Sequence, residues 1–161
     1  KKNIINNINN FLLNKINTSF SFYFGTIPFL YIPYNFNIFK GIINIYTHSV
    51  VYSKKYRNNV LKYNYKNIYC WDIFQNYFNY NKYFYWEPLA YQKIEITENS
   101  NNWPVSNIIK YNYLKFAYFC NANNNPKYFF NITYIIAFII MFIILLIFYN
   151  LFKYLFRKYF F

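Results

Sequence analysis

The feature that most limits what this 161-residue chain can become is an uncharged run near its C-terminal end. Lys127 and Lys153 bound a stretch, Tyr128 to Phe152, without a single charged residue, and its centre from Tyr134 to Tyr149 reads YIIAFIIMFIILLIFY. At about 1.5 Å of rise per residue such a helix reaches roughly 37 Å, more than the ~30 Å hydrocarbon thickness of a bilayer. An amphipathic core helix shows one apolar stripe, whereas this run is apolar on every face. The run therefore predicts a transmembrane helix over 128–152, with Tyr134, Ile139, Met141, Leu145 and Tyr149 along the span. Tyr128, Tyr134, Tyr149 and Tyr154 lie towards its ends, where aromatic rings favour the head-group belt. Asn131 and Thr133 are polar near its start, and the absence of any acid, base or histidine inside gives no proton relay or ion path.

Composition bears on the rest of the chain. Hydrophobic residues make up 57%, aromatic ones 29% and charged ones only 13%, which excludes a disordered polymer, a collagenous chain or a flexible linker. Asn (28), Ile (24), Tyr (22), Phe (21) and Lys (15), all with codons rich in A and U, dominate, while Gly (2), Ala (4) and Arg (2) are scarce. This is the signature of an extremely AT-rich genome. The formal net charge of +13 follows from a shortage of acids, since only Asp72, Glu87, Glu95 and Glu98 are present. A nucleic-acid binder enriches bases, Arg above all, and this chain has only Arg57 and Arg157. The basicity points instead to anionic lipid, such as cardiolipin, or to acidic neighbours, with Lys127, Lys153, Arg157 and Lys158 as the interface bases.

Segments 1–17, 18–40, 41–127, 128–152 and 153–161 divide the chain. In the first, Ile4, Ile5, Ile8, Phe11, Leu12 and Ile16 recur at helical spacing opposite Asn, which predicts an amphipathic helix. Asn is a poor helix former, so this helix needs a surface, and a neighbouring subunit is favoured over the membrane interface. Segment 18–40, with Gly25, Pro28 and Pro33 among aromatics, predicts extended packing without regular structure. Alternation at Ile43 and Ile45, at Leu61, Tyr63 and Tyr65, at Ile94 and Ile96, and at Ile109, Tyr111 and Tyr113 predicts a small, mainly antiparallel β domain over 41–127. Residues 73–86 fit helix or strand equally, and Asn58–Asn59, 98–102 and 121–126 are expected loops. The fold class is thus membrane α+β: one C-terminal span, an aromatic-rich β domain and an N-terminal amphipathic helix. The domain is small for so many rings, so much of its surface is expected to be apolar and covered by partners.

No constellation supports catalysis. His48 is the sole histidine, and with Cys70 and Cys120 it matches no metal-ligand spacing. The two cysteines fit one disulfide or two free thiols. Glu95 and Glu98 sit at a strand end, where solvent or Lys93 satisfies them. Gly25 and Gly41 belong to no phosphate-loop pattern. Catalytic, cofactor-binding and metal residues are therefore expected to be none. The start, Lys1-Lys2-Asn3, leads into apolar runs broken by Asn, unlike a secretory signal, and it lacks the Arg and Ser of an import presequence.

In that composition, with one apolar helix and a basic end, the chain resembles the AT-biased open reading frames of ciliate mitochondrial genomes. The resemblance implies a product made inside the organelle: a non-catalytic accessory subunit of an inner-membrane respiratory-chain complex, cytochrome c oxidase ahead of complex I. Its partners would be other subunits of that complex and the bilayer. The resemblance leaves two alternatives, a mitoribosomal protein touching rRNA and an ATP synthase membrane-region subunit. Three bases close after the helix against Lys127 close before it place the C-terminus on the matrix side.

Overall fold

A computed structural model describes residues 2–64, 66, 68, 70–79, 81–91 and 107–160, the side chains of 46–48, 107, 158 and 160 apart. In chain order the elements are α1 (Lys2–Asn14), β1 (Ser21–Pro33), β2 (Ile38–Tyr52), α2 (Lys54–Leu61), α3 (Trp71–Phe78), β3 (Lys82–Tyr85), α4 (Asn107–Phe119) and α5 (Pro126–Phe160). The result is a small mixed sheet with an N-terminal helix and one long apolar C-terminal helix.

Segment 18–40, expected to lack regular structure, instead supplies a long hairpin. β1 runs antiparallel to β2 from Ser21↔Tyr52 to Pro33↔Phe39, with register shifts after Gly25, Pro28 and Leu30. Each shift adds local bend and twist, and the hairpin coils until the start of β1 and the start of β2 flank β3. β3 pairs in parallel with Ser21–Tyr23 and antiparallel with Ile38–Gly41, closing a three-stranded ring. The sheet is therefore mixed, with two of its three pairings antiparallel. Gly41 sits where β2 meets both other strands, and a Cβ there would lie 2.1 Å from Asn44 Oδ1.

The two faces of the ring bury different partners. Phe20, Phe22, Tyr83 and Tyr85 face α1, whose Ile8 and Phe11 are buried against them. The Phe11 ring lies 4.9 Å from that of Tyr83 and 5.5 Å from those of Phe22 and Tyr34. The amphipathic helix thus forms, and the buried part of its apolar face packs on this chain's own sheet. Tyr23, Ile27, Tyr31 and Phe84 face the other way, into a core with Leu114, Ala117 and Cys120 near and on α4 and Phe129, Phe130, Tyr134 and Ala137 on α5.

Three strand or loop expectations are corrected. Ile109, Tyr111 and Tyr113 lie on helix α4. Leu61 ends α2 and Tyr63 follows it in a turn, while Asn58 and Asn59 are inside that helix. The Ser53 hydroxyl caps α2 by accepting from Tyr56 N at 3.1 Å. Residues 73–86 resolve into helix and then strand, α3 and β3. The expected strand at Ile94 and Ile96 and the loop 98–102 lie outside the described residues.

The turn between α4 and α5 falls as expected. Asn121 adopts φ 51°, Ala122 N donates to Ala117 O at 3.0 Å and Asn121 N to Tyr118 O at 2.9 Å. That pair of bonds is a Schellman stop, for which Asn is the best non-glycine residue. Asn125 then starts α5, accepting from Tyr128 N at 3.2 Å, with Pro126 in the first helical position.

Candidate functional site

Helix α5 has two halves with different fates. Over its first three turns Phe129, Phe130, Thr133, Tyr134 and Ala137 recur on one side and are buried in the core. From Phe142 to Arg157 every residue is exposed, and the most apolar window of the helix is only 6% buried. The sequence-predicted span residues divide accordingly. Tyr134 is 4% exposed and belongs to the domain rather than to a head-group belt. Its hydroxyl donates to Thr26 O and its carbonyl accepts from Tyr31 Oη, each at 3.4 Å. Met141 is half-buried, while Ile139, Leu145 and Tyr149 stand on the bare part. Asn150, a polar residue in the run that the sequence reading passed over, donates to Leu146 O at 2.9 Å and so satisfies its own helix.

The bases divide as well. Lys127 pairs with Glu87, which ties the start of α5 to the segment after β3 and occupies a charge expected to meet lipid. Lys153 and Arg157 are exposed on the bare part, and the Lys158 side chain lies outside the described residues.

A second cluster, which the sequence did not signal, lies where α3 closes over the sheet ring. Lys82, 1% exposed, donates from Nζ to Ile42 O (2.7 Å), Asn76 Oδ1 (2.9 Å) and, more weakly, Asn76 O (3.5 Å). Removal from water pushes its amine down to about 8. Ile42 O belongs to β2, whereas both Asn76 acceptors sit on the last turn of α3, where a cation also meets the negative end of the helix dipole. Asn76 bridges back to β2, accepting from Asn44 N at 2.9 Å and donating to Asn44 O at 2.7 Å. Beside it the buried Tyr23 hydroxyl donates to Gln75 Oε1 and accepts from Ser21 Oγ at 3.1 Å, while Asn79 Nδ2 donates to Ser21 Oγ at 2.9 Å. Burial drives the Tyr23 and Tyr56 hydroxyls well above the usual tyrosine range. All three Lys82 acceptors belong to the protein, so the cluster fastens α3 to the ring and presents no nucleophile to an outside molecule.

A shallow recess of about 360 Å³ lies between the end of α1 and one face of α2, lined by Ile16, Asn17, Lys54, Lys55, Asn58, Asn59 and Lys62. With three lysines and no acid in its lining, it is a region of positive potential.

The remaining candidates stay apart. His48 lies in β2 by its backbone, Cys70 precedes α3 half-exposed, and Cys120 is buried after α4; both thiols are free. Among the described residues no group of His, Cys, Asp or Glu converges as a metal site. Asp72 opens α3 and Glu87 is paired with Lys127, while Glu95 and Glu98 lie outside the described residues. Comparison with protein-family models, with curated proteins and with solved structures gives no match.

Proposed function

We propose that this chain is a non-catalytic, membrane-anchored subunit, held in a bilayer by the bare half of α5 and gripping other chains through its aromatic domain. One observation carries the reading: a continuous helix is half core and half exposed apolar surface. Twelve Leu, Ile and Phe residues stand between Phe138 and Phe152, and a soluble monomer does not leave so large an apolar surface in water. The organellar resemblance of the sequence takes the proposal further, to an accessory subunit of a mitochondrial inner-membrane respiratory complex, cytochrome c oxidase before complex I. The apolar faces of the domain support a gripping role, since Ile108, Ile109, Tyr111 and Phe119 of α4 and Tyr77 of α3 are largely exposed.

Carbonate extraction of organelle membranes, followed by native gel separation and mass spectrometry of co-migrating chains, tests both levels. Retention in the membrane pellet together with respiratory subunits is the expected result. The lysine-lined recess at α2 favours a second reading, a mitoribosomal protein whose lysines meet rRNA phosphates. Release into the soluble fraction with ribosomal proteins would establish that reading instead.

A further inference from the structure

The turn joining β1 to β2 carries an unusual burden. Asn35 Oδ1 accepts from Asn37 N at 3.0 Å and Ile38 N at 2.8 Å, while Tyr34 N and Asn35 N donate to Ile38 O at 2.9 and 3.0 Å. Four bonds fix the backbone of the turn, and they hold Phe36 at its apex, 96% exposed. An aromatic ring that the turn cannot fold back is positioned for something outside the domain.

Its place relative to α5 follows from the hydrogen bonds. Trp86 N donates to Asn37 O at 2.9 Å, and the Trp86 ring lies 6.2 Å from that of Tyr134 while remaining 52% exposed. Turn, Trp86 and α5 are therefore neighbours. The direction of α5 is also fixed. Helical side chains lean towards the N-terminal end and carbonyls point towards the C-terminal end. The Tyr134 hydroxyl reaches Thr26 and its carbonyl meets Tyr31, so α5 travels beside β1 from Thr26 towards Tyr31. The bare half of the helix leaves the domain at the end of the hairpin that carries the turn.

Length supplies an independent argument. Among the described side chains Ala137 is the last fully buried one of α5, and Phe138 to Arg157 is twenty residues, roughly 30 Å of helix, equal to one hydrocarbon thickness. If that part spans, the bilayer surface lies at the foot of the bare half, level with Trp86 and the turn. Trp and Tyr rings favour the head-group level, and Phe the boundary just below it with the acyl chains. No carboxylate lies in the turn, and the Lys15 ammonium sits 5.0 Å over the Tyr34 ring, a favourable charge beside anionic head groups.

We infer that the Tyr34–Asn37 turn is a second membrane contact, with Phe36, flanked by Trp86, dipping into the boundary between head groups and acyl chains where α5 enters. This rests on the membrane reading above. The span is then 138–157 rather than 128–152, with Lys153 and Arg157 in its last turns reaching back to the far head groups, and the sheet domain is seated directly on the bilayer.

The test uses the full chain with Cys70→Ser and Cys120→Ala, reconstituted in liposomes of phosphatidylcholine and cardiolipin. A fluorophore is attached at Phe36→Cys, at Ile147→Cys in the middle of the bare half, or at Asn59→Cys on α2. Lipids carrying a nitroxide at shallow or deep positions serve as quenchers. The Phe36 label is expected to be quenched several-fold more by the shallow nitroxide than the Asn59 label, and the Ile147 label most by the deep one. If the Ile147 label is quenched while the Phe36 label matches Asn59, the second contact is wrong and the membrane reading stands. If the Ile147 label also escapes quenching, both fail. Circular dichroism of each labelled chain confirms that the exposed substitutions leave the fold intact.

Discussion

On the proposed membrane reading, paired arginines along α5 give the sharpest measure of where the helix enters lipid. The twelve Leu, Ile and Phe residues from Phe138 to Phe152, at about −0.3 to −0.6 kcal/mol each, favour insertion by roughly 4–7 kcal/mol. One arginine at the midplane costs about 2.5–3.5 kcal/mol, a shift of roughly 70- to 400-fold that still leaves most chains inserted. Two together cost about as much as the whole apolar run supplies. With the span beginning at Phe138, Ile147 is nine residues in, at a depth of about 14 Å. Ile144 is one turn shallower. Ile139 and Ile140 lie at the foot, 49% and 41% exposed, where arginine side chains reach the head groups and cost little. Ile144→Arg with Ile147→Arg should therefore eject the helix, whereas Ile139→Arg with Ile140→Arg should leave it inserted. Synthesis of each full chain in the presence of membranes, followed by carbonate extraction, reads the inserted fraction directly. A span over 128–152 has its middle at Ile140 and gives the opposite ranking; that ranking, or equal retention of the two pairs, would refute the register.

Other consequences concern the domain. Phe11→Ala should cost about 3–5 kcal/mol, because the ring is buried against Phe20, Phe22 and Tyr83; hydrogen exchange should show α1 losing protection first. Gln75→Leu removes the acceptor of the buried Tyr23 hydroxyl and should cost about 1–3 kcal/mol in urea denaturation of the detergent-solubilised chain. The Lys82 amine is lowered to about 8 from its ordinary 10.5, so between those pH values the unfolded chain holds the extra proton and stability should rise with pH. Above about 10 tyrosines of the unfolded chain ionise while buried Tyr23 and Tyr56 resist, so stability should fall again. Lys82→Met should abolish the rise without removing the fall in a pH series of denaturation curves. Asn121→Gly should stabilise the chain by about 1 kcal/mol, read as a higher melting temperature, since the residue at φ 51° would no longer strain a side chain.

The two terminal helices were legible, and the sheet and the shorter helices between them much less so. The long apolar helix and α1 announce themselves by length and by three- and four-residue spacing. β1 does not, because it is buried on both faces: Phe22 and Phe24 serve the α1 side while Tyr23 and Ile27 serve α4 and α5. A strand covered on both sides shows no polar alternation, and Gly25, Pro28 and Pro33 read as interruptions when they mark bends in the hairpin. The opposite error occurred at α4. Ile109, Tyr111 and Tyr113 alternate with polar residues over a short window, yet Tyr113, Leu114, Phe116, Ala117 and Cys120, the positions that meet the core, follow helical spacing. Asn, abundant throughout, misplaced a loop at Asn58–Asn59, where the Ser53 cap was the better guide. Of the candidate site, the bare helix was readable but its lower boundary was not, since nothing in the run distinguishes rings that meet protein, Phe129, Phe130 and Tyr134, from rings that do not. The Lys82 cluster depends on contacts among β2, α3 and β3 that no local pattern encodes.

Helix α5 continues from the core into its bare half without proline or glycine after Pro126. There is no swivel between the two halves. Any lean of the rod is passed to the sheet as a rigid rotation, and a neighbour clasping the sheet constrains the rod's azimuth in return. A tether would merely keep the domain near its site of work, whereas on the membrane reading this shaft sets which way the domain faces.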